Sequence, residues 1–261
     1  MVLRWIVHWH PYVVLLFYNF LANNNNQQTA DHLNNPSACC LSPFYPLLCH
    51  MIFALTDELV FPDPELAEED GLLAIGGDLR PERLISAYRQ GIFPWYSEGQ
   101  PILWYAPHER FVLFPEKIKI TRSMRQFMKK PEVTVTTDTA FERVIEACSK
   151  IPRAGQQGTW ITSDMKEAYI RLHQLGMAHS VETYVNGDLV GGLYGVKTGR
   201  VFCGESMFSA VPNASKAALI HVCTRFSYTL IDCQVYSEHL ERMGAEFISS
   251  ARYREYLAEN G

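Results

Sequence analysis

Apolar residues recur along this chain at two periods, and the switch between them marks its organisation. Up to residue 176 the spacing is helical. In PERLISAYRQ, Leu84, Ile85 and Tyr88 share one face, with Pro81 suited to a first helical turn and Gly91 to a C-terminal cap. RSMRQFMKK (122–130) carries an apolar stripe of Met124, Phe127 and Met128. Residues 139–150 and 163–176 predict two more amphipathic helices, the second capped by Ser163 and stopped by Gly176. The period then changes to two. VETYV, LVGGLYGV and VFCGESMFS, separated by NGD and KTGR, predict a three-stranded antiparallel meander, since Asn186-Gly187 suits a type I′ hairpin turn. A helix over 213–226 and a strand at LIDCQV complete the pattern. The fold class expected is α+β with a mostly antiparallel sheet.

The first fifty residues do not match the rest. Residues 5–22 are apolar but interrupted by two histidines and Pro11, and a polar NNNNQQ run follows. A targeting or anchoring segment is one reading; a start site placed upstream of the true one, Met51, is the other. The expected organisation is therefore an extension over 1–50, a turn-rich small lobe over 51–110, and a larger domain over 111–261. Gly76-Gly77 in the small lobe lacks dinucleotide-binding spacing.

The chain has 261 residues, 48% hydrophobic and 20% charged, an ordinary globular composition. Its net charge of −5 excludes a globally basic nucleic-acid coat, so any such contact must come from a local patch. One exists: Lys117, Lys119, Arg122, Arg125, Lys129 and Lys130 cluster in a short stretch. They read either as phosphate contacts or as a solvated helix face. The seven cysteines are odd in number and show neither C-x-x-C nor zinc-finger spacing, so they suit small buried residues in a reducing compartment.

The candidate chemistry lies in the strands. Glu205 sits inside VFCGESMFS, and Asp232 and Gln234 inside LIDCQV. Burying a carboxylate costs several kcal/mol unless it is paired or hydrogen-bonded. In regular strands Cys203, Glu205 and Met207 share a face, as do Leu230, Asp232 and Gln234. Both acids in one cleft would attract a cationic amine; a structural pairing, such as Asp232 with backbone amides or an arginine, is the alternative. Gly191, Gly192, Gly195 and Gly204 mark either close approaches or bulges. Trp95, Trp104 and Trp160, flanked by turn-like segments, either stack on nucleobases or pack between lobes. Cys233 should face away from Asp232 and Gln234 and so be inert; His179 and His221 lack metal-ligand partners at useful spacing.

Together, DGLLAIGGDL, GIFPWYS, PILWYAP, SMRQF, GTWIT, LVGGLYGV, FCGESMFS, NASKAAL and LIDCQVYSEHLERMGA resemble the bacterial leucyl/phenylalanyl-tRNA–protein transferases, over about Phe61 to Tyr256. The resemblance implies a small N-terminal lobe and a GNAT-like domain. It implies transfer of Leu or Phe, less readily Met, from aminoacyl-tRNA to the N-terminal α-amine of proteins beginning with Arg or Lys. The product would be a degradation signal, made by a cytoplasmic monomer without metal, coenzyme or stable membrane partner. By position, Asp232 and Gln234 match the catalytic pair, and Glu205, beside them in the catalytic group, helps hold the acceptor. Trp95 and Trp160 match the border of the aminoacyl-adenosine site. Phe202, Met207, Ile231 and Leu193 match the pocket for the transferred side chain. Lys119, Arg122, Arg125, Lys129 and Lys130 match the region that holds the tRNA. Leu193 and Val222 stand where a related member has Met and Phe, so pocket volume differs and the preference between Leu and Phe is open.

An aminoacyl ester is already activated, so holding a neutral amine beside it and managing one proton suffices. Gln234 oriented by Asp232, or Asp232 acting as base, are both compatible with the sequence. Rival readings are an acyl-CoA-dependent GNAT acyltransferase, which MFSAVPNASK disfavours for want of a glycine-rich loop, and a non-catalytic RNA-binding module.

Overall fold

The computed structural model describes residues 52–151 and 159–260. The expected extension over 1–50, with its apolar run, lies outside them. Residues 53–105 build a small sheet that their turn-rich composition hid. Strand β1 (Phe53–Leu55) runs parallel to β2 (Leu72–Gly76). After helix α1 (Pro81–Arg89), β3 (Phe93–Pro94) and β4 (Leu103–Tyr105) complete the order β1-β2-β4-β3. Buried Arg83 of α1 ties down the chain after β1, donating to the carbonyls of Glu58 (3.0 Å) and Thr56 (2.7 Å) and to Asp78 (3.2 Å).

The rest forms one large sheet with helices on both faces. In chain order come β5 (Glu109–Leu113), α2 (Arg122–Met128), β6 (Val133–Thr137), α3 (Phe141–Ser149) and α4 (Ser163–Gln174). The meander follows as β7 (Ala178–Val185), β8 (Asp188–Thr198) and β9 (Val201–Ser209). Then come α5 (Ala214–Arg225), β10 (Leu230–Gln234), α6 (Glu238–Arg242), β11 (Glu246–Ser249) and α7 (Ser250–Asn260). The strand order is β11-β5-β10-β9-β8-β7-β6. Every neighbouring pair is antiparallel except β9 and β10, joined by the α5 crossover. The α+β class with a mostly antiparallel sheet is thus observed. The Asn186-Gly187 turn has positive φ at both residues, 53° and 86°, as its hairpin role requires.

One correction concerns α4. Its cap is Thr162, whose Oγ1 accepts from the Met165 amide at 3.2 Å, not Ser163. Strands β5, β6 and β11 have no counterpart in the expected pattern. Among the described residues, no helix is long and apolar enough to cross a membrane.

Two apolar clusters fill the faces. One runs from the small sheet (Leu72, Trp104) through α1, α3, α4 and α7 to Val196, Cys203 and Leu230 of the large sheet. The other packs Met124 of α2 and Ala217, Ala218 and Val222 of α5 against Leu193, Phe202 and Ile231. Helix α5 comes so close to β8 that a Cβ on Gly191 would lie 2.4 Å from the Ala214 Cβ and 2.8 Å from its carbonyl carbon. That glycine marks a close approach of backbone to backbone, and a methyl group there must displace the start of the helix. Gly191→Ala is expected to destabilise the fold by about 1–3 kcal/mol, as overpacking does, read from the midpoint of urea unfolding.

Candidate active site

Strands β9 and β10 pair only through Leu230–Val201, Ile231–Phe202 and Asp232–Cys203. Beyond that point both lose their regularity. On β10 the register against β5 slips between Asp232 and Gln234, leaving Cys233 as the extra residue, and Gln234 adopts φ +62°. On β9 the register against β8 slips between Gly204 and Ser206, so Glu205 is the extra residue. Two bulges therefore face each other across the parallel pair where it comes apart, and there Gln234 Nε2 donates to Glu205 Oε1 at 2.7 Å.

The expectation of regular strands fails in one consequence. The bulge at Glu205 reverses the alternation after it, so Met207 packs with Phe202, Leu193 and Ile231 on the α5 face, away from Cys203. The four residues matched to the side-chain pocket are thereby brought into one cluster, beside Val222. Phe202 lies against β8 where Gly195 leaves room: a Cβ there would stand 2.7 Å from its ring.

Asp232 is fully buried and all its acceptor positions are engaged. Its Oδ1 accepts from Arg110 Nε (2.9 Å) and from the Gln234 amide (2.8 Å); its Oδ2 accepts from Arg110 Nη2 (2.8 Å) and the Tyr253 hydroxyl (2.9 Å). Arg110 lies between the rings of Phe93 and Tyr253 at 4.6 and 4.7 Å, and its Nη1 donates to the Gly91 carbonyl at 3.1 Å. Although burial opposes its charge, the carboxylate of Asp232 beside it raises its pKa further. The structural pairing allowed for Asp232 is thus present. The same carboxylate also holds the backbone of Gln234 in its left-handed conformation.

Glu205 has a different environment. It is buried, Tyr169 donates to its Oε2 at 3.0 Å, and Tyr88 bonds Tyr169 at 2.5 Å. Burial, aided by the negative charge of Asp232, pushes its pKa up to about 7 against the opposing hydroxyl and amide donors. It is a buried carboxyl poised to exchange a proton near neutrality. Cys233, whose thiol burial pushes well above its usual range, packs against the α5-face cluster.

The remaining expected residues fall around this centre. Trp160 is buried in the cluster shared with α4, and Trp95 packs on Tyr105 with ring centres 5.9 Å apart. Their segments are linked, because Tyr96 and Thr162 share a hydrogen bond of 3.3 Å. Lys119, Arg122, Arg125 and Lys129 are exposed and make no ion pair with a described residue. Lys130 lies 3.7 Å from Glu132, and Lys117 is held by Glu246 at 2.5 Å. No group of three or more metal-ligating side chains occurs among the described residues. His179 instead bonds Asp138 at 2.7 Å, and His221 lies 3.5 Å from the Thr137 hydroxyl. Sequence reasoning missed Arg110, Tyr88, Tyr169 and Tyr253. Arg110 left one trace: a cation at the head of the apolar run FVLF, directly after Glu109.

Comparison with known proteins decides the family. Residues 112–258 match the family profile described as leucyl/phenylalanyl-tRNA protein transferase, and residues 77–108 match its N-terminal domain. The chain belongs to the leucyl/phenylalanyl-tRNA–protein transferase family. The transferase of Myxococcus xanthus is 54% identical over 212 residues, 79% of this chain and 91% of that protein. The transferase of Syntrophus aciditrophicus is 60% identical over 193 residues, 73% of this chain and 81% of that one. Among solved structures, a GCN5-related N-acetyltransferase from Kribbella flavida aligns distantly, with TM-score 0.33 and 10% identity over 62% of this chain and 58% of that one. The protein is therefore an aminoacyltransferase acting between an aminoacyl-tRNA and a protein.

In this transferase, Arg110 and Asp232 stand or fall together. Arg110→Met leaves a buried carboxylate without its cation and is expected to destabilise the fold by about 3–5 kcal/mol in denaturant unfolding. Adding Asp232→Asn should recover part of that loss.

Proposed function

We propose that this protein, as a cytoplasmic monomer, transfers Leu or Phe, and less readily Met, from aminoacyl-tRNA to the α-amine of proteins beginning with Arg or Lys, marking them for degradation. The observation that carries the chemical part is the contact between Gln234 and Glu205 at the parting of β9 and β10. The amine's lone pair attacks the ester carbonyl, a C–N bond forms, the C–O bond to the terminal ribose breaks, and that oxygen takes up a proton. Before attack the ammonium group must lose a proton. Glu205, held near neutrality, receives it. Gln234, whose amide nitrogen is committed to Glu205, turns its carbonyl to the incoming amine and aligns it.

Asp232 in this scheme positions and does not act as base. Its four hydrogen bonds leave no acceptor for an incoming amine, and its interaction with the Gln234 amide fixes the conformation that the amide side chain needs. Negative charge from Glu205 favours acceptors whose first residue is a cation. Phe202, Met207, Ile231 and Leu193 supply an apolar pocket for the transferred side chain. Trp95 and Trp160 border the aminoacyl-adenosine end. The exposed cations of α2, with Lys119 and Lys130, suit the acceptor arm of tRNA.

The test uses Phe- or Leu-charged tRNA and a peptide beginning with Arg. Peptide product is expected; bound tRNA with no product would overturn the enzymatic reading. Because its raised pKa keeps Glu205 protonated below about 7, the rate at limiting peptide should climb as pH rises through that value. Glu205→Gln is expected to lower the rate about 100-fold or more and to remove that limb, leaving only the limb of the α-amine itself near pH 8. Replacing both Arg122 and Arg125 by Ala should weaken tRNA binding and reduce its salt dependence by a log–log slope of about 1.5–2.

A further inference from the structure

The outer edge of the large sheet carries an apolar surface that the site above does not use. Val235 and Phe247 are 46% and 49% exposed, among the most exposed large apolar residues described. Val235 and Tyr236 directly follow Gln234. The Tyr236 ring stacks on Phe247 (centres 6.1 Å apart, planes 12° apart), and both rest on buried Phe111 at 5.3 and 4.9 Å. Strand register places this shelf relative to the reacting groups. Phe111 of β5 is the partner of Gln234 on β10 and of Phe247 on β11. Gln234, Phe111 and Phe247 therefore form one row across three strands. Phe247 stands two strand spacings, about 10 Å, from Gln234, on the strand that ends the sheet.

The occupant follows from distance and charge, given the transfer reading above. An amine held at Gln234 belongs to a polypeptide that must leave the site, and about 10 Å is the reach of roughly three extended residues. The shelf is bordered by carboxylates: Glu241 accepts from the Tyr236 hydroxyl at 2.8 Å, Glu246 precedes Phe247, and Glu238 begins α6. Lys117 and Arg242 pair with two of these three, leaving the border slightly acidic. Of the exposed cations without an ion pair, Arg122 and Arg125 lie on α2, which packs on α5 and on β6 at the opposite edge of the sheet, whereas the Lys119 amide bonds the Met243 carbonyl between α6 and β11 at 2.8 Å. We propose that Phe247, Tyr236 and Val235 bind the second to fourth residues of the acceptor polypeptide and favour apolar side chains there.

The test compares three acceptors at saturating Phe-tRNA: argininamide, which has the amine but no chain, a peptide with three Leu after Arg, and the same peptide with three Ser. The Leu peptide is expected to exceed the Ser peptide in kcat/KM by about five- to tenfold, the scale set by burying part of an aromatic surface. Phe247→Ser should erase most of that ratio, and Phe247→Leu should keep it. Equal rates for the two peptides, or a ratio unmoved by Phe247→Ser, would overturn the shelf while transfer to argininamide keeps the enzymatic reading intact. No transfer to any acceptor would overturn that reading and the shelf with it. A weaker affinity for Phe-tRNA in Phe247→Ser, with the peptide ratio intact, would assign the rings to RNA and reject the proposal.

Discussion

The buried pair between Arg110 and Asp232 is the interaction on which the rest of the site depends. Neither charge is tolerable alone in that position, because desolvation of each costs several kcal/mol and only the partner with further hydrogen bonds offsets it. Each nitrogen of the guanidinium is therefore directed. Arg110 meets the carboxylate side-on with two nitrogens and sends its third to the Gly91 carbonyl, just before the small sheet's β3. Asp232 spends one of its four bonds on the backbone of Gln234. A left-handed glutamine is unfavourable by itself. It persists because a charge that cannot move holds it.

Glu205 shows the opposite use of burial. Asp232 meets a guanidinium and is neutralised; Glu205 meets only two hydroxyls and an amide, so burial raises its pKa to about 7. Two carboxyls on neighbouring strands are driven apart in character by their partners alone. The chain from Glu205 through Tyr169 to Tyr88 crosses to α1. The small N-terminal sheet and its helix thus hold both acids, one through Gly91 and one through Tyr88. Neither acid would have this environment in the larger sheet alone.

Much of the fold was legible because local rules agreed. The meander, its type I′ turn and five of the helices follow from periodicity and from turn and capping residues. The strands that escaped are short or irregular. Phe93–Pro94 has two residues and ends in proline, and Glu109–Leu113 opens on two charged residues before three apolar ones without alternation. Within the site, Glu205, Asp232 and Gln234 stood out as polar residues in apolar strands. Arg110, Tyr88, Tyr169 and Tyr253 did not: Tyr88 reads simply as part of its helix's apolar face, and the others sit in segments whose own pattern is satisfied without them. Their partners are between 19 and 122 residues away in sequence. Such contacts are a property of topology, and no local pattern encodes them.

The bulge at Glu205 has one more consequence. It takes up a single residue, and that residue decides which way every later side chain of β9 points. Deleting one residue from Gly204-Glu205-Ser206 would restore the simple alternation of an ordinary strand. It would also turn Met207 away from Phe202 and carry Phe208 to the other side. The strand thus carries information in its length as well as in its letters. A variant with all these side chains intact but one position fewer would lose the packing of Met207 on Phe202 and the setting of the Glu205 carboxyl together.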